Sequence, residues 1–311
     1  MAVLSCFDFS VPGTQDPTMP QFAEFRKFVR RDVPLAMYTW FQLGGPAEYF
    51  AEPETGTELL ALLKQSRKEN VPVRVLGVGS NVLAPDEGVA GVVVSLSAPF
   101  FGGIERNGSR VVAGGGVRLG RAITRAVTEG LAGIENLIGI PGSVGGAVCS
   151  NATSGGDDLG RWIENVSAAT LDGNVIEIPK NEITFGYRCS SLDDVVILSV
   201  TLKLEQGDPV ELSKRMQQLW IVRKAQQPMS SQCSGYVFKN PRTGGSAEEL
   251  IELAGLKGTR IGGAVLNERN PCFIVVEPEC TAGDVKRLLQ LVQDQVRDRT
   301  EIELEPAIDI W

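Results

Sequence analysis

Histidine is missing from this chain altogether: none of its 311 residues is one. That excludes a histidine-containing nucleophile triad and the usual zinc sites, and it leaves Cys, Tyr, Lys, Asp or Glu as any general acid. Cysteine is sparse and scattered, at positions 6, 149, 189, 233, 272 and 280, with no C-x-x-C pair. Such spacing reads as reduced thiols in a cytoplasm, not as a disulfide frame. No apolar run approaches the roughly 20 residues of a membrane span. The opening MAVLSCFDFSVPG lacks the basic n-region and long apolar stretch of a signal peptide. Positive charge is in deficit, with a net charge of −8. Nucleic acid and anionic membrane are thereby disfavoured as partners, and an anionic ligand would need a local site rather than a global field.

The hydrophobic content of 43% supports real cores, and 311 residues are comfortable for two or three domains. Glycine is plentiful where it is informative. Gly133–Asn151, GIENLIGIPGSVGGAVCSN, holds five glycines and one proline in nineteen residues. Leu76–Leu83, LGVGSNVL, has the same character and follows the apolar run Val71–Val75. Each alone is explained as a tight turn between buried strands. Together they suggest a phosphate cradle built from two places in the chain, because exposed N–H groups in such turns make anion-binding nests.

In chain order, residues 1–20 read as a loose tail and Gln21–Asp32 as a short basic helix. Ala47–Ala51 is a strand and Thr57–Asn70 an amphipathic helix with Leu59, Leu60, Leu62 and Leu63 inward. Val71–Leu76 is a buried strand, Val89–Leu96 is another strand, and Leu119–Glu129 is a helix stopped by Gly130. Val166–Leu171 and Val175–Ile178 form a hairpin across Asp172-Gly173-Asn174. Val195–Leu204 is a long alternating strand. The composition shifts near Gln206–Pro209, which sets a domain boundary. Beyond it come helices over Val210–Lys224, Ala247–Leu253 and Thr281–Arg297, the last with a Thr281/Asp284 cap. The strands there are Tyr236–Phe238, Cys272–Val276 and a closing Ile302–Ile310.

Five motifs occur in order: GVGSNVL, GIENLIGIPGSVGGAV, FGYRCS at Phe185–Ser190, GYVFKNP at Gly235–Pro241 and LIELAGLKGTRIGGA at Leu250–Ala264. From about Pro34 to Trp311 the series resembles the UDP-N-acetylenolpyruvoylglucosamine reductase (UDP-N-acetylmuramate dehydrogenase) family, in its shorter type. The resemblance implies an α+β fold: a two-subdomain FAD-binding module of the p-cresol-methylhydroxylase/vanillyl-alcohol-oxidase type, plus a C-terminal α+β substrate domain. Residues 1–33 would be tail and short helix. Residues 34–206 would be the FAD-binding domain, split near 97, and 207–311 the substrate domain. It further implies FAD, NADPH as reductant and a UDP-sugar substrate; with histidine absent as a tether the FAD is expected to be non-covalent, and the cysteine usage already points to the cytoplasm. The positions matching the flavin turns are Gly77, Gly79, Ser80 and Asn81, with Pro141, Gly142, Ser143, Val144, Gly145 and Gly146. Arg188 matches the arginine placed on the substrate carboxylate, where a planar, permanently charged guanidinium stabilises developing negative charge. Lys239 and Asn240 match positions near the sugar nucleotide.

Three departures stand out. Tyr236 occupies the place of the family's Ser or Cys proton donor. Ala307 occupies the place of a glutamate. NERNPCF at Asn267–Phe273 replaces S-E-x-H-A-N-F. A phenol can donate a proton but is much larger than a hydroxymethyl group. Strand alternation puts Glu303, Glu305, Ala307 and Asp309 on one face, so Glu305 is the nearest same-face carboxylate, about 6–7 Å from Ala307. The expected catalytic set is therefore Arg188, Tyr236 and Glu305. A flavin-binding relative without reductase activity, or another flavin oxidoreductase, are the competing readings.

Overall fold

The computed structural model describes residues 19–226 and 236–311, in three α+β layers around one cleft. Helix α1, Gly56–Lys68, begins with a capping box: the Thr55 hydroxyl accepts from the Glu58 amide and the Glu58 carboxylate accepts from the Thr55 amide. These bonds satisfy donors that the first turn leaves open. Leu59, Leu62 and Leu63 are buried with Tyr49, Val92 and Val94, each burial worth about 1.5–3 kcal/mol. Leu60 lies half-buried at the margin.

The first sheet orders its strands Val29–Pro34, Pro46–Ala51, Val89–Ser95 and Val73–Leu76. The first pair is antiparallel and the other two are parallel. Three expectations are corrected here. Gln21–Asp32 is not one helix: a 3-10 turn over Pro20–Phe25 gives way to the strand Val29–Pro34, whose pairing with Pro46–Ala51 outweighs local helix preference. Phe22 and Phe28 sit in the first core, so the chain from Met19 onward belongs to this layer and is not a tail. Val73–Leu76 is an edge strand, with Val75 39% exposed, rather than a buried one.

The second layer is a five-stranded antiparallel sheet in the order Val175–Pro179, Ile163–Thr170, Val195–Lys203, Arg110–Gly114 and Ile104–Asn107. Its hairpin turns at Asp172–Asn174, with Gly173 at φ 72°. Helix α2, Leu119–Thr128, buries Leu119, Ala122, Ile123, Ala126 and Val127 and stops at Gly130, φ 71°. Helix α3, Val144–Cys149, is the short helix of the glycine-rich stretch. Helix α4, Pro209–Gln226, packs Leu212, Met216 and Leu219 into this same core. The composition shift at Gln206–Pro209 therefore does not mark the packing boundary, because the apolar face of α4 belongs to the second layer.

The third layer holds α5, Ala247–Leu253, and α6, Ala282–Thr300, against the strands Arg260–Ile261, Ala264–Leu266 and Ile274–Val276. Both helices open on capping boxes, Ser246/Glu249 and Thr281/Asp284. The expected closing strand is reduced to Asp309–Ile310, which pairs in parallel with Val82–Leu83. Pro306 makes only an isolated bridge to Phe238, and the alternation breaks there: Ala307 and Ile308 are both buried. Asp86 of the first layer accepts from the amides of Ala282 and Gly283 at 2.8 and 2.9 Å, clasping the start of α6. This clasp and the Asp309–Ile310 pairing hold the third layer over the cleft.

Candidate active site

The three layers enclose a cleft of about 1440 Å³. That exceeds the 300–1,000 Å³ usual for one small ligand, so there is room for two in contact. One wall is the turn Gly77–Asn81 after the edge strand. It meets the second glycine-rich stretch directly, because Ser80 Oγ donates to the Pro141 carbonyl at 3.0 Å. A Cβ on Gly77 would lie 2.6 Å from Ser143 Oγ, so the two turns touch with no space for a side chain. Gly79, at φ 64°, would put a Cβ 1.9 Å from the Tyr38 carbonyl; that glycine is demanded by the protein's own packing.

Among the described residues, no backbone carbonyl accepts from the amides of Gly79, Ser80, Asn81, Gly142 or Ser143. These five donors belong to residues that line one cleft. That is the fit expected of a nest for a diphosphate. The other expected members of the cradle serve differently. The Val144 amide donates to Val117 O at 2.7 Å and the Gly145 amide to Gly115 O at 2.9 Å. Ser143 Oγ accepts from the Gly146 amide at 3.2 Å and caps α3. The Asn81 side chain turns toward the C-terminal segment, donating to Ala307 O at 3.1 Å.

Arg188 sits in the two-residue turn between Phe185–Gly186 and Cys189–Ser190. Its φ of 61° is a left-handed value that costs a non-glycine residue on the order of 1 kcal/mol, and such outliers cluster at functional sites. The hairpin is braced from behind: buried Asn151 donates to Gly186 O at 2.9 Å, and Ser190 Oγ donates to Cys149 O at 2.9 Å. Burial pushes the guanidinium below its ordinary pKa, while Tyr187 and Tyr236 favour its charge. Tyr236 lies at the opposite wall, its ring 4.8 Å from that of Phe273. Burial raises the phenol's pKa, so it is protonated at neutral pH.

Sequence reading missed Arg223, in the last turn of α4. Its guanidinium donates to Ile138 O, to Asn136 O at 3.2 Å and to Ser154 Oγ, pinning the glycine-rich stretch. It also faces Tyr236, and burial pushes its pKa down. A basic residue ending a helix carries no sequence signal that separates this role from ordinary helix capping.

Lys239 lines the cleft and pairs with Glu305 at 3.2 Å. Asn240 accepts from the Ala247 amide at 2.9 Å, holding the start of α5. Glu305 is not among the cleft's lining residues: its side chain is 73% exposed and pairs with cleft-lining Lys239, while Pro306 and Ala307 line the cleft. Arg188 and Tyr236 are thus brought together, and Glu305 is not.

The fold and cleft define a flavin-binding module followed by a separate C-terminal unit. Residues 47–179 match the family model described as FAD binding domain. Residues 227–311 match the UDP-N-acetylenolpyruvoylglucosamine reductase C-terminal domain. A UDP-N-acetylenolpyruvoylglucosamine reductase from Rhodopirellula baltica is 38% identical over 283 residues, covering 91% of this chain and 92% of the relative. One from Desulfosudis oleivorans is 37% identical over 299 residues, covering 92% and 95%. The crystal structure of the Thermus caldophilus reductase superposes with a TM-score of 0.79 at 35% identity, over 91% of this chain and all of that one. The chain belongs to the UDP-N-acetylenolpyruvoylglucosamine reductase family. Among the described residues, no helix is long and apolar enough to cross a membrane.

Proposed function

We propose that this chain is an FAD-dependent reductase that uses NADPH to convert UDP-N-acetylglucosamine enolpyruvate to UDP-N-acetylmuramate in the cytoplasm, with Tyr236 as an altered proton donor. The observation that carries the reading is the meeting, in one cleft, of an open-amide cradle with the pair Arg188 and Tyr236. FAD, held non-covalently, would supply hydride transfer. The amides of Gly79–Asn81 and of Gly142 and Ser143 would hold its diphosphate, as a nest does.

The chain's own residues do the rest. Arg188 stabilises negative charge developing on the substrate carboxylate, in a partly desolvated site where such charge pairs are strong. Lys239, neutralised in part by Glu305, and Asn240 hold the sugar nucleotide. Tyr236 gives its proton to the enolic carbon. Its raised pKa keeps that proton on the phenol until the substrate draws it off. The proposed domain division follows the packing: flavin-binding layers up to α4, then a substrate unit from Val237 onward.

Incubation in deuterium oxide with FAD, NADPH and the enolpyruvyl substrate tests this. The expected product is UDP-N-acetylmuramate with solvent deuterium at the carbon next to the carboxylate. A flavin-loaded protein that yields no such product supports instead a family member without reductase activity, the reading favoured by Ala307 where the family carries a carboxylate.

A further inference from the structure

We propose that Asn270 is a positioning residue for Tyr236: its side-chain amide donates to the phenol oxygen and so aims the phenol's own hydrogen into the cleft. The proposal rests on the reading of Tyr236 as proton donor. Asn270 is 5% exposed and stands in the segment Asn267–Phe273, NERNPCF. Its Oδ1 accepts from the Cys272 amide at 3.0 Å. A backbone N–H can only donate, so the oxygen must lie on that side and the NH2 group on the other. There Nδ2 is 3.3 Å from Glu248 Oε2 and 3.5 Å from Tyr236 Oη. Two hydrogens meet two acceptors, and the amide has no freedom to flip.

The phenol oxygen therefore receives a hydrogen from behind, and its own O–H must point elsewhere. Phe273 covers one side of the ring. The charged groups that face Tyr236 from other elements are Arg188 on the hairpin, Arg223 on α4 and Glu248 on α5; Cys272 adds a thiol from its own segment. The two arginines are donors only, and the Glu248 carboxylate is engaged by Asn270. Among the described residues none accepts from the Tyr236 hydroxyl, and the proposal gives its proton to a substrate. In the step itself the Tyr236 O–H bond breaks as a C–H bond forms at the enolic carbon; bound FAD would supply the hydride that the neighbouring alkene carbon takes. The resulting phenolate is held by the Asn270 N–H and the two guanidinium groups, and it regains a proton from solvent.

The test uses the flavin-loaded enzyme and measures its two half-reactions separately. Asn270→Asp, made in a Glu248→Gln background so that no second carboxylate stands 3.3 Å away, keeps an oxygen for the Cys272 amide. It replaces the N–H donor by an acceptor that captures the phenol's proton. Substrate-dependent flavin reoxidation is expected to fall roughly 10- to 100-fold, less than the 10²–10⁴-fold cost of losing an acid outright. Flavin reduction by NADPH is expected to be unchanged, and Asn270→Asp is expected to add nothing in a Tyr236→Phe background. Glu248→Ala, a second perturbation of the same amide, is expected to give a smaller loss confined to reoxidation. If Tyr236→Phe slows reoxidation but Asn270→Asp does not, the positioning role is wrong and the donor role stands. Equal losses from Asn270→Asp with and without the phenol also overturn it, since Asn270 then acts through something other than Tyr236. If Tyr236→Phe is silent, the donor reading fails and the proposal fails with it.

Discussion

Replacing Gly146 by aspartate places a carboxylate in the first turn of α3, on the cleft. A Cβ at this position meets only Ser143 Oγ, at 3.3 Å, and Gly146 itself is exposed to the cleft. The fold is expected to hold: acidic residues in a first helical turn contribute about 0.3–1 kcal/mol of stability through the helix dipole. Binding is another matter. A unit charge about 5 Å from a phosphate charge, at an effective dielectric near 20, costs about 3 kcal/mol, or roughly 200-fold in affinity. FAD titration of the apoprotein at low salt, followed by flavin fluorescence, measures the effect. Gly146→Asn matches the size without the charge and Gly146→Ala tests the Cβ alone; both are expected to bind within a few-fold of the parent. An aspartate variant that binds FAD as well as the asparagine variant would refute a diphosphate seated beside α3.

Arg188→Lys retains the charge but loses the planar fork; it is expected to keep flavin and to slow substrate-dependent reoxidation by about 10²–10³-fold, read in a stopped-flow spectrometer. Tyr236→Ser combined with Ala307→Glu is expected to speed the same half-reaction, since both positions line the cleft, and no gain would remove the altered donor set from the account. Burial pushes the Cys272 thiol up to about 12 and those of Cys149 and Cys280 up to about 11. The native state thus holds protons that the unfolded chain releases, so this part of the stability is intact below the ordinary thiol value of about 8.5 and is lost as pH rises toward 11–12. Urea melts at rising pH check the sign. Alkylation mapped by mass spectrometry is expected to find exposed Cys189 modified well before buried Cys272.

Local chemistry was legible wherever a residue's role is set by its chain neighbours. Thr281 with Asp284 announced the start of α6, Gly130 announced the end of α2, and Asp172-Gly173-Asn174 announced a hairpin; each depends on bonds within a few residues. Roles set by distant partners were not legible. Val29–Pro34 has helix-compatible residues and becomes a strand only because Pro46–Ala51 is there to pair with it. The period-2 pattern of the last segment fails at Pro306, where Ala307 and Ile308 are both buried, so alternation could not be extrapolated from Glu303 to Asp309. The glycine-rich turns were recognisable as a pair, yet which amides stay open depends on contacts with Val117 and Gly115. Arg223 and Asn270 reach Tyr236 only through folding, from 13 and 34 positions away in the chain.

The most direct test of the account is anaerobic and spectroscopic. Purified flavin-loaded protein is reduced with NADPH, and UDP-N-acetylglucosamine enolpyruvate is then added while the oxidised-flavin absorbance is followed. The expected result is bleaching by NADPH, then recovery of the oxidised band in proportion to substrate added, slowed by Tyr236→Phe. A flavin that NADPH reduces but the substrate leaves bleached would contradict the assignment of this cleft to enolpyruvyl reduction.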